Sequence, residues 1–326
     1  MLVAVLLFIL GFVLLIKGGD WFVDGATGIA HRFHVPELLI GATVVSIGTT
    51  LPEVMVSATS AVSGHGQIAY GNAIGSIICN TALIAALTIA IKPAPVDRKS
   101  FKTPVLFFFL AAVYYLINAY VFGEFTRLSG AILLLIFVIY IALQIRNAIK
   151  NPEAVPVEPE EEAEEPKKEN PFWKDILLLV VGAALIAVGA DLLVDNGTII
   201  ATELGVPESV IALTFVALGT SLPELVTAIT ALAKGHGALS LGNVVGANMF
   251  NLVLVCGLSI LLQPFGLPVE KTINGLNASL VVDIPVMMFV MLFLTVPALI
   301  KGKLSRYQGI VLLIVYAAFC TFQFIA

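Results

Sequence analysis

The segment Gly-Thr-Thr-Leu-Pro-Glu at 48–53 returns as Gly-Thr-Ser-Leu-Pro-Glu at 219–224, and each copy lies inside an apolar run long enough to cross a bilayer. A carboxylate in hydrocarbon is costly and persists only where it faces a partner, a cavity or an ion. Glu53 and Glu224 are therefore candidate ligands for a transported cation. Pro52 has no amide hydrogen for the carbonyl of Gly48, and Pro223 leaves that of Gly219 free in the same way, so both helices are expected to kink or open there. Such carbonyls are tolerable in a membrane when they line a cavity, and there they can ligate a cation. Thr49 and Thr50 lie four and three residues before Glu53, which places hydroxyl and carboxylate on neighbouring parts of one helical surface. Thr220, Ser221 and Glu224 repeat the arrangement. Carbonyl, hydroxyl and carboxylate oxygens are the hard ligands that calcium and sodium prefer. The plainer alternative is a proline-kinked packing segment whose Glu bonds a neighbour; the recurrence of a Glu beside a Pro weighs against it.

The next apolar run of each copy carries Gly71, Asn72, Gly75, Ser76 and Asn80, mirrored by Gly242, Asn243, Gly246, Ala247 and Asn251. Glycines four apart permit close helix approach. Asn72, Ser76 and Asn80 form one polar stripe, with Asn80 and Asn251 expected to reach an ion from opposite sides. Asn72 and Asn243 suit interhelical hydrogen bonding equally well. The Gly-His-Gly sequences around His65 and His236 read as turns. Cys79, Cys256 and Cys320 lie in apolar stretches without metal-ligand spacing and read as packed free thiols. Asp283 has no counterpart and is given no role.

The elements that must hold these residues follow from composition. The 326 residues are 59% hydrophobic and 12% charged, and the mean hydropathy is +1.02, values that exclude a water-soluble domain. Apolar runs at 1–30, 36–63, 68–91, 104–122, 128–147, 175–200, 207–233, 238–263, 276–299 and 307–326 suit ten spans. The first run lacks a basic leader and a convincing cleavage site and reads as a retained helix. The Pro/Glu-rich stretch 151–170 separates 1–150 from 171–326, and eight of the 22 acidic residues fall between Glu153 and Glu169. This stretch reads as a solvated linker. A shift of 171 residues aligns 41–83 with 212–254 at 16 identities in 43 positions. It also pairs Asp20 with Asp191, Asp24 with Asp195, Pro36 with Pro207 and Glu37 with Glu208. Five helices per half, an odd number, invert the second copy: an all-α polytopic membrane protein of ten transmembrane helices in two inverted five-helix repeats.

Basic residues accumulate in cytoplasmic loops. With the N-terminus outside, the inner loops hold Arg32; Lys92, Arg98, Lys99 and Lys102; Arg146, Lys150, Lys167, Lys168 and Lys174; Lys234; and Lys301, Lys303 and Arg306. The outer loops hold Arg127 and Lys271. Both termini are thus expected outside and the linker 151–170 in the cytoplasm. Lys17, inside the first run, is expected to pair with Asp20 or Asp24 or to snorkel.

GTTLPE with GNAIGSIICN, and GTSLPE with GNVVGANMFN, resemble the paired alpha-repeats of the cation/calcium antiporter superfamily, most closely its prokaryotic sodium/calcium exchanger branch, across essentially the whole chain. The resemblance implies Glu53 and Glu224 as central ligands with Thr49, Thr50, Ser76, Asn80, Thr220, Ser221 and Asn251 around them, and backbone ligands near the helix breaks. Some relatives carry Asp where this chain has Asn251, and Ser where it has Ala247, which bears on potassium co-transport and on the number of sodium sites. The proton/calcium branch carries Glu within GNxxE where this chain has Gly75 and Gly246, so sodium is the expected driving ion.

The expected activity is calcium/sodium antiport by alternating access in the cell membrane, with the ions as substrates, no cofactor, no nucleic acid and a monomer sufficient. A proton-coupled or broader divalent antiporter is the nearest rival, and a passive cation channel a more distant one. A membrane hydrolase is disfavoured because no nucleophile–base pair or His-Glu-x-x-His motif is visible.

Overall fold

The computed structural model describes residues 2–150, 171–204, 219–268 and 272–325, so the linker at 151–170 and the paired residues Pro207 and Glu208 lie outside the described residues. Ten helices follow one another among those residues: α1 (Leu2–Arg32), α2 (Glu37–Val62), α3 (Gly66–Ile91), α4 (Arg98–Phe122), α5 (Arg127–Lys150), α6 (Phe172–Glu203), α7 (Leu222–Ala233), α8 (Gly237–Leu262), α9 (Ser279–Lys301) and α10 (Arg306–Ile325). Eight are long and apolar enough to cross a membrane. The other two are α7, whose approach at 205–218 is not described, and the 20-residue α10. The protein is an all-α polytopic membrane protein, with outward-facing side chains such as Leu6, Phe12, Leu110 and Val138 exposed as lipid contact requires.

Turn chemistry sets the helix limits. Gly64 and Gly235 adopt φ of 84° and 89° ahead of His65 and His236, which sit at the N-caps of α3 and α8. The Gly-His-Gly sequences are indeed turns. Between α8 and α9 a two-residue hairpin pairs Thr272–Ile273 with Leu276–Asn277. Asn274 and Gly275, both at positive φ, form its turn; this Asn-Gly signal is readable in the sequence and was absent from the expected elements.

Small residues bring the helices together. In α1 and α6, Gly11 lies against the carbonyl of Gly189 and Gly18 against that of Gly182. Residues 11 and 182, like 18 and 189, are 171 apart, so the contact is reciprocal. The Arg32 guanidinium, 3.5 Å from Asp175, ties the ends of the pair. Next to it, α2 crosses α8: a side chain at Gly242 would run into the carbonyl of Leu38, and one at Gly246 into Ser46 and Ala42. Gly71 and Gly75 meet nothing within 4 Å among the described residues. The shift that pairs Gly242 with Gly71 carries Leu38 to position 209, inside the undescribed segment.

Lys17 is exposed, and the carboxylates expected to receive it are taken by another cation. Lys234, at the end of α7, lies 2.8 Å from Asp24 and 3.5 Å from Asp20. Between its two expected fates, the exposed position fits snorkelling.

Because the α2–α8 crossing leaves no room for a methyl group, Gly242→Ala is expected to destabilise the protein by about 1–3 kcal/mol through overpacking. Thermal unfolding of the detergent-solubilised protein measures this; an unchanged midpoint would mean that α2 and α8 do not meet at this spacing.

Candidate cation site

Five polar residues of α2, Ser46, Thr49, Thr50, Glu53 and Ser57, are buried and recur at spacings of three and four, giving one continuous stripe on one helix face. Sequence reasoning picked the middle of that stripe and missed Ser46 and Ser57, although the same periodicity reaches them. The stripe faces the start of α7 and the middles of α3 and α8, which pack on it and on each other. Glu53 and Glu224 both have zero exposure. Thr50 donates to Glu224 Oε1 at 3.5 Å, and because Glu53 follows Thr50 by one turn, the two carboxylates share one buried region.

Two reciprocal hydrogen bonds fix the surrounding helices. Thr49 donates to Asn243 Oδ1 at 3.2 Å, and Thr220 donates to Asn72 Oδ1 at 3.3 Å. The partners exchange under the 171-residue shift. Asn72 also donates to the Glu53 carbonyl at 3.3 Å and to Ser57 at 2.8 Å, so its amide is occupied with joining helices. Ser46 donates to the Asn243 carbonyl at 2.9 Å. Of the two readings left open for these asparagines, interhelical bonding is the one with observed partners. The Thr49 and Thr220 hydroxyls give their protons to this framework, which leaves their oxygen lone pairs available.

The remaining candidates behave differently. Both carboxylate oxygens of Glu53, Oε2 of Glu224, Oγ of Ser221 and both amide atoms of Asn80 and Asn251 are buried without a hydrogen-bond partner among the described residues. A buried polar atom left unpaired costs about 1–3 kcal/mol. Concentrating so many on the side chains singled out as ligands fits a site whose partner is a cation. Among the described residues no cluster of three or more His, Cys, Asp or Glu could hold a metal. The donor set is two carboxylates and neutral oxygens, suited to a hard cation that must also leave.

Backbone irregularity accompanies these residues. Asn80 opens a π-helical turn, Asn80–Ala85, inside α3, and Asn251 opens another, Asn251–Val255, inside α8. π-turns inside helices frequently mark functional sites, and neither sequence announced them. The expected opening at the prolines is met unequally. In the second half the helix starts afresh at Leu222, with Ser221 as N-cap and Pro223 in the first turn, so Gly219 stands before the helix start. In the first half the helix runs on through Pro52, and the irregular turn falls upstream at Gly41–Val45. Pro52 still leaves the Gly48 carbonyl without its usual donor. Gly48, Pro52, Pro223, Phe22 and Ile186 line a small cavity between α1, α6 and this region. Ser76 is buried at 5% exposure one turn before Asn80, while its counterpart Ala247 offers no hydroxyl. The two halves therefore share the π-turns at Asn80 and Asn251 but differ at the prolines and in their hydroxyls.

A second polar cluster went unnoticed. Asn248 donates to Thr81 at 2.7 Å and meets the sulfur of Met291 at 3.2 Å, joining α8, α3 and α9. Its counterpart by the shift is Ile77, so no repeated signal marks it. Asp283, left without a role, accepts from Gln323 of α10 at 2.8 Å.

Helices that enclose two buried carboxylates and neutral oxygens within a membrane-spanning fold fit a cation transporter, and likeness to known proteins places the fold and family among cation antiporters. The family profile described as sodium/calcium exchanger protein matches residues 3–146 and 174–325. The chain is similar to the sodium/calcium exchanger MaX1 of Methanosarcina acetivorans, 30% identical over 350 residues covering 98% of each protein. It is 36% identical over 312 residues to an uncharacterized membrane protein of Methanocaldococcus jannaschii, covering 95% of this chain and 94% of that one. A solved structure of the sodium-calcium exchanger NCX_Mj, soaked with Na+ and Sr2+, superposes with a TM-score of 0.79 at 34% identity, covering 97% of each chain. The chain belongs to the sodium/calcium exchanger family.

The two kinds of asparagine separate experimentally. Asn72→Ala is expected to lower stability by about 1–3 kcal/mol by stranding its partners, whereas Asn80→Ala removes a group without partners and leaves stability near wild type while weakening calcium binding. Thermal unfolding with and without calcium checks both; equal destabilisation by the two variants would remove the distinction.

Proposed function

We propose that the protein is a secondary active antiporter that moves calcium against sodium across the cell membrane by alternating access. The observation that carries this reading is the set of unpaired buried oxygens on Glu53, Glu224, Ser221, Asn80 and Asn251, set between helices of the two halves. Two carboxylates balance one calcium, and sodium ions can use the same oxygens in turn. Gly48 and Gly219 supply backbone carbonyls, and Thr49, Thr50, Thr220 and Ser76 add hydroxyl oxygens. An ion-free site leaves two like charges uncompensated in a low dielectric, which opposes reorientation without cargo and makes exchange obligatory. The halves 1–150 and 171–326 act as inverted repeats around the site, and one chain suffices. Sodium drives transport because Gly75 and Gly246 stand where the proton-coupled relatives carry Glu. Proton coupling through the same two carboxylates is the competing reading, and the same assay separates them.

Tracer calcium uptake into proteoliposomes with imposed sodium, potassium or proton gradients tests the assignment. Uptake that follows an outward sodium gradient, with stimulation by ions on the opposite face, is the expected result. A proton-driven response moves the protein to the other branch, and flux without such stimulation identifies a channel. Glu53→Gln and Glu224→Gln each remove half of the compensating charge and are expected to lower exchange by at least about 100-fold, a loss of roughly 2.7 kcal/mol or more in ion stabilisation. Near-wild-type flux from either folded variant would refute the central assignment.

Both termini face outward and the linker 151–170 faces the cytoplasm in this reading, in line with the basic loops. A cysteine placed at 160 in a background without the native cysteines should resist impermeant maleimide added to intact cells and react after permeabilisation. Labelling in intact cells would reverse the orientation.

A further inference from the structure

At the face of the molecule where α3 and α9 end and α4 and α10 begin, the two connecting loops are joined into one platform. Val96 donates its amide to the Gly302 carbonyl at 2.9 Å, Leu304 to that of Ala94 at 2.9 Å, and Pro95 and Lys303 form an antiparallel bridge. Arg306 donates to the Ile91 carbonyl at 3.2 Å, and the Arg98 guanidinium lies beside Gly302. Lys92, Arg98, Lys99, Lys102, Lys301, Lys303 and Arg306 are all exposed here. The loops contain one carboxylate, Asp97, exposed and engaged in capping α4, where it accepts from the amides of Lys99 and Ser100 at 3.1 Å each and from the Ser100 hydroxyl at 2.5 Å.

The rest of the same face is arranged differently. Gly237, at the start of α8, abuts Ala94, so the α7–α8 turn adjoins the platform. Around that turn Lys234 is held by Asp20 and Asp24, His236 meets Glu37 at 2.7 Å, and Arg32 meets Asp175. Among the described residues, none of the seven platform cations makes an ion pair. The tendency of loops on one side to be basic accounts for cations there but not for the missing counter-charges. Below the platform the wall is apolar and outward-facing: Ile91, Leu106, Ile300 and Tyr307 are 59%, 59%, 68% and 71% exposed. Tyr307, in the first turn of α10, is an aromatic of the kind enriched where helices meet headgroups.

We propose that this platform is a headgroup site for an anionic phospholipid of the adjoining leaflet. Its phosphate is recognised by Arg98, Lys303 and Arg306, and its acyl chains lie along the outer faces of α4, α9 and α10. Basic clusters at the ends of spanning helices recognise anionic lipids, at about fivefold in affinity for each Lys or Arg near the surface. Guanidinium groups suit the phosphate through paired donors. The apolar wall selects a lipid over a soluble phosphate, because only the lipid covers both surfaces.

The test uses the full-length protein in phosphatidylcholine vesicles carrying trace spin-labelled phosphatidylglycerol or phosphatidylcholine, and reads the ratio of their association constants. The expected ratio is at least about fivefold in favour of the anionic lipid, falling with added salt. Arg98→Gln/Lys303→Gln/Arg306→Gln should bring it close to one, while Arg98→Lys/Lys303→Arg/Arg306→Lys should retain most of the preference. A wild-type ratio near one, an unchanged ratio in the neutralised variant, or displacement of the lipid by glycerol phosphate in solution would each overturn the proposal. Should the neutralised variant fail to fold, the charge-retaining variant and the salt dependence of the wild type decide. The readout is lipid association, independent of which ions the central site carries.

Discussion

Everything in this fold answers to one electrostatic constraint: two carboxylates, Glu53 and Glu224, sit in one fully buried region with a single hydroxyl donor between them. Carboxylates so placed repel each other and have lost their hydration, and replacing that hydration with fixed partners would cancel the reason for keeping them. Among the described residues, no ion pair reaches either carboxylate. Among the described residues, Lys234, Arg32 and His236 meet carboxylates near helix ends. The polar side chains buried with Glu53 and Glu224 among the described residues, Thr49, Thr50, Ser221, Asn80 and Asn251, are neutral. Neutral oxygens can coordinate a cation and release it, whereas a lysine in the same place would lock the carboxylates.

Unpaired oxygens require a rigid surround, otherwise the helices would rotate to satisfy them. The reciprocal bonds from Thr49 to Asn243 and from Thr220 to Asn72 supply that rigidity across the two halves. The tight crossing at Gly242 and Gly246 supplies it between α2 and α8. Polar residues along the same helices thus divide into two groups. Asn72 and Asn243 hold the frame, while Asn80 and Asn251, each at the start of a π-turn, are held by it.

Much of this was legible in the sequence because duplication doubles each signal. Glu53 with Glu224, and Asn80 with Asn251, stand out since chance compositional bias does not repeat polar residues at one offset. The ten apolar runs mark the helices for the same reason that a bilayer demands them. Information that depends on tertiary partners was not legible. The role of Asn72 depends on Ser57 and Thr220 arriving beside it, and the acceptors of Lys234 lie on a helix more than 200 residues earlier. Proline was an imperfect guide to backbone opening. Pro223 coincides with a helix start, but Pro52 is accommodated within a continuing helix whose irregular turn lies two turns upstream. The Asn274–Gly275 turn was legible and overlooked, since attention to long apolar runs passes over a hairpin of six residues, 272–277.

The halves repeat Gly, Pro, Glu and Asn at one offset, yet they differ in where the helix opens and in which hydroxyls they carry. The recurring residues are types that can bend a helix, allow close approach or offer a buried oxygen. Ser76 against Ala247, Thr50 against Ser221 and Ile77 against Asn248 differ because these side chains meet unequal neighbours. Thr50 spends its hydroxyl on Glu224, Ser221 keeps its own unpaired, and Asn248 ties α8 to Thr81 and Met291, an attachment that Ile77 does not reproduce. Copying a ligand list from one half to the other therefore preserves the carboxylate and amide pairs and fails for the hydroxyls.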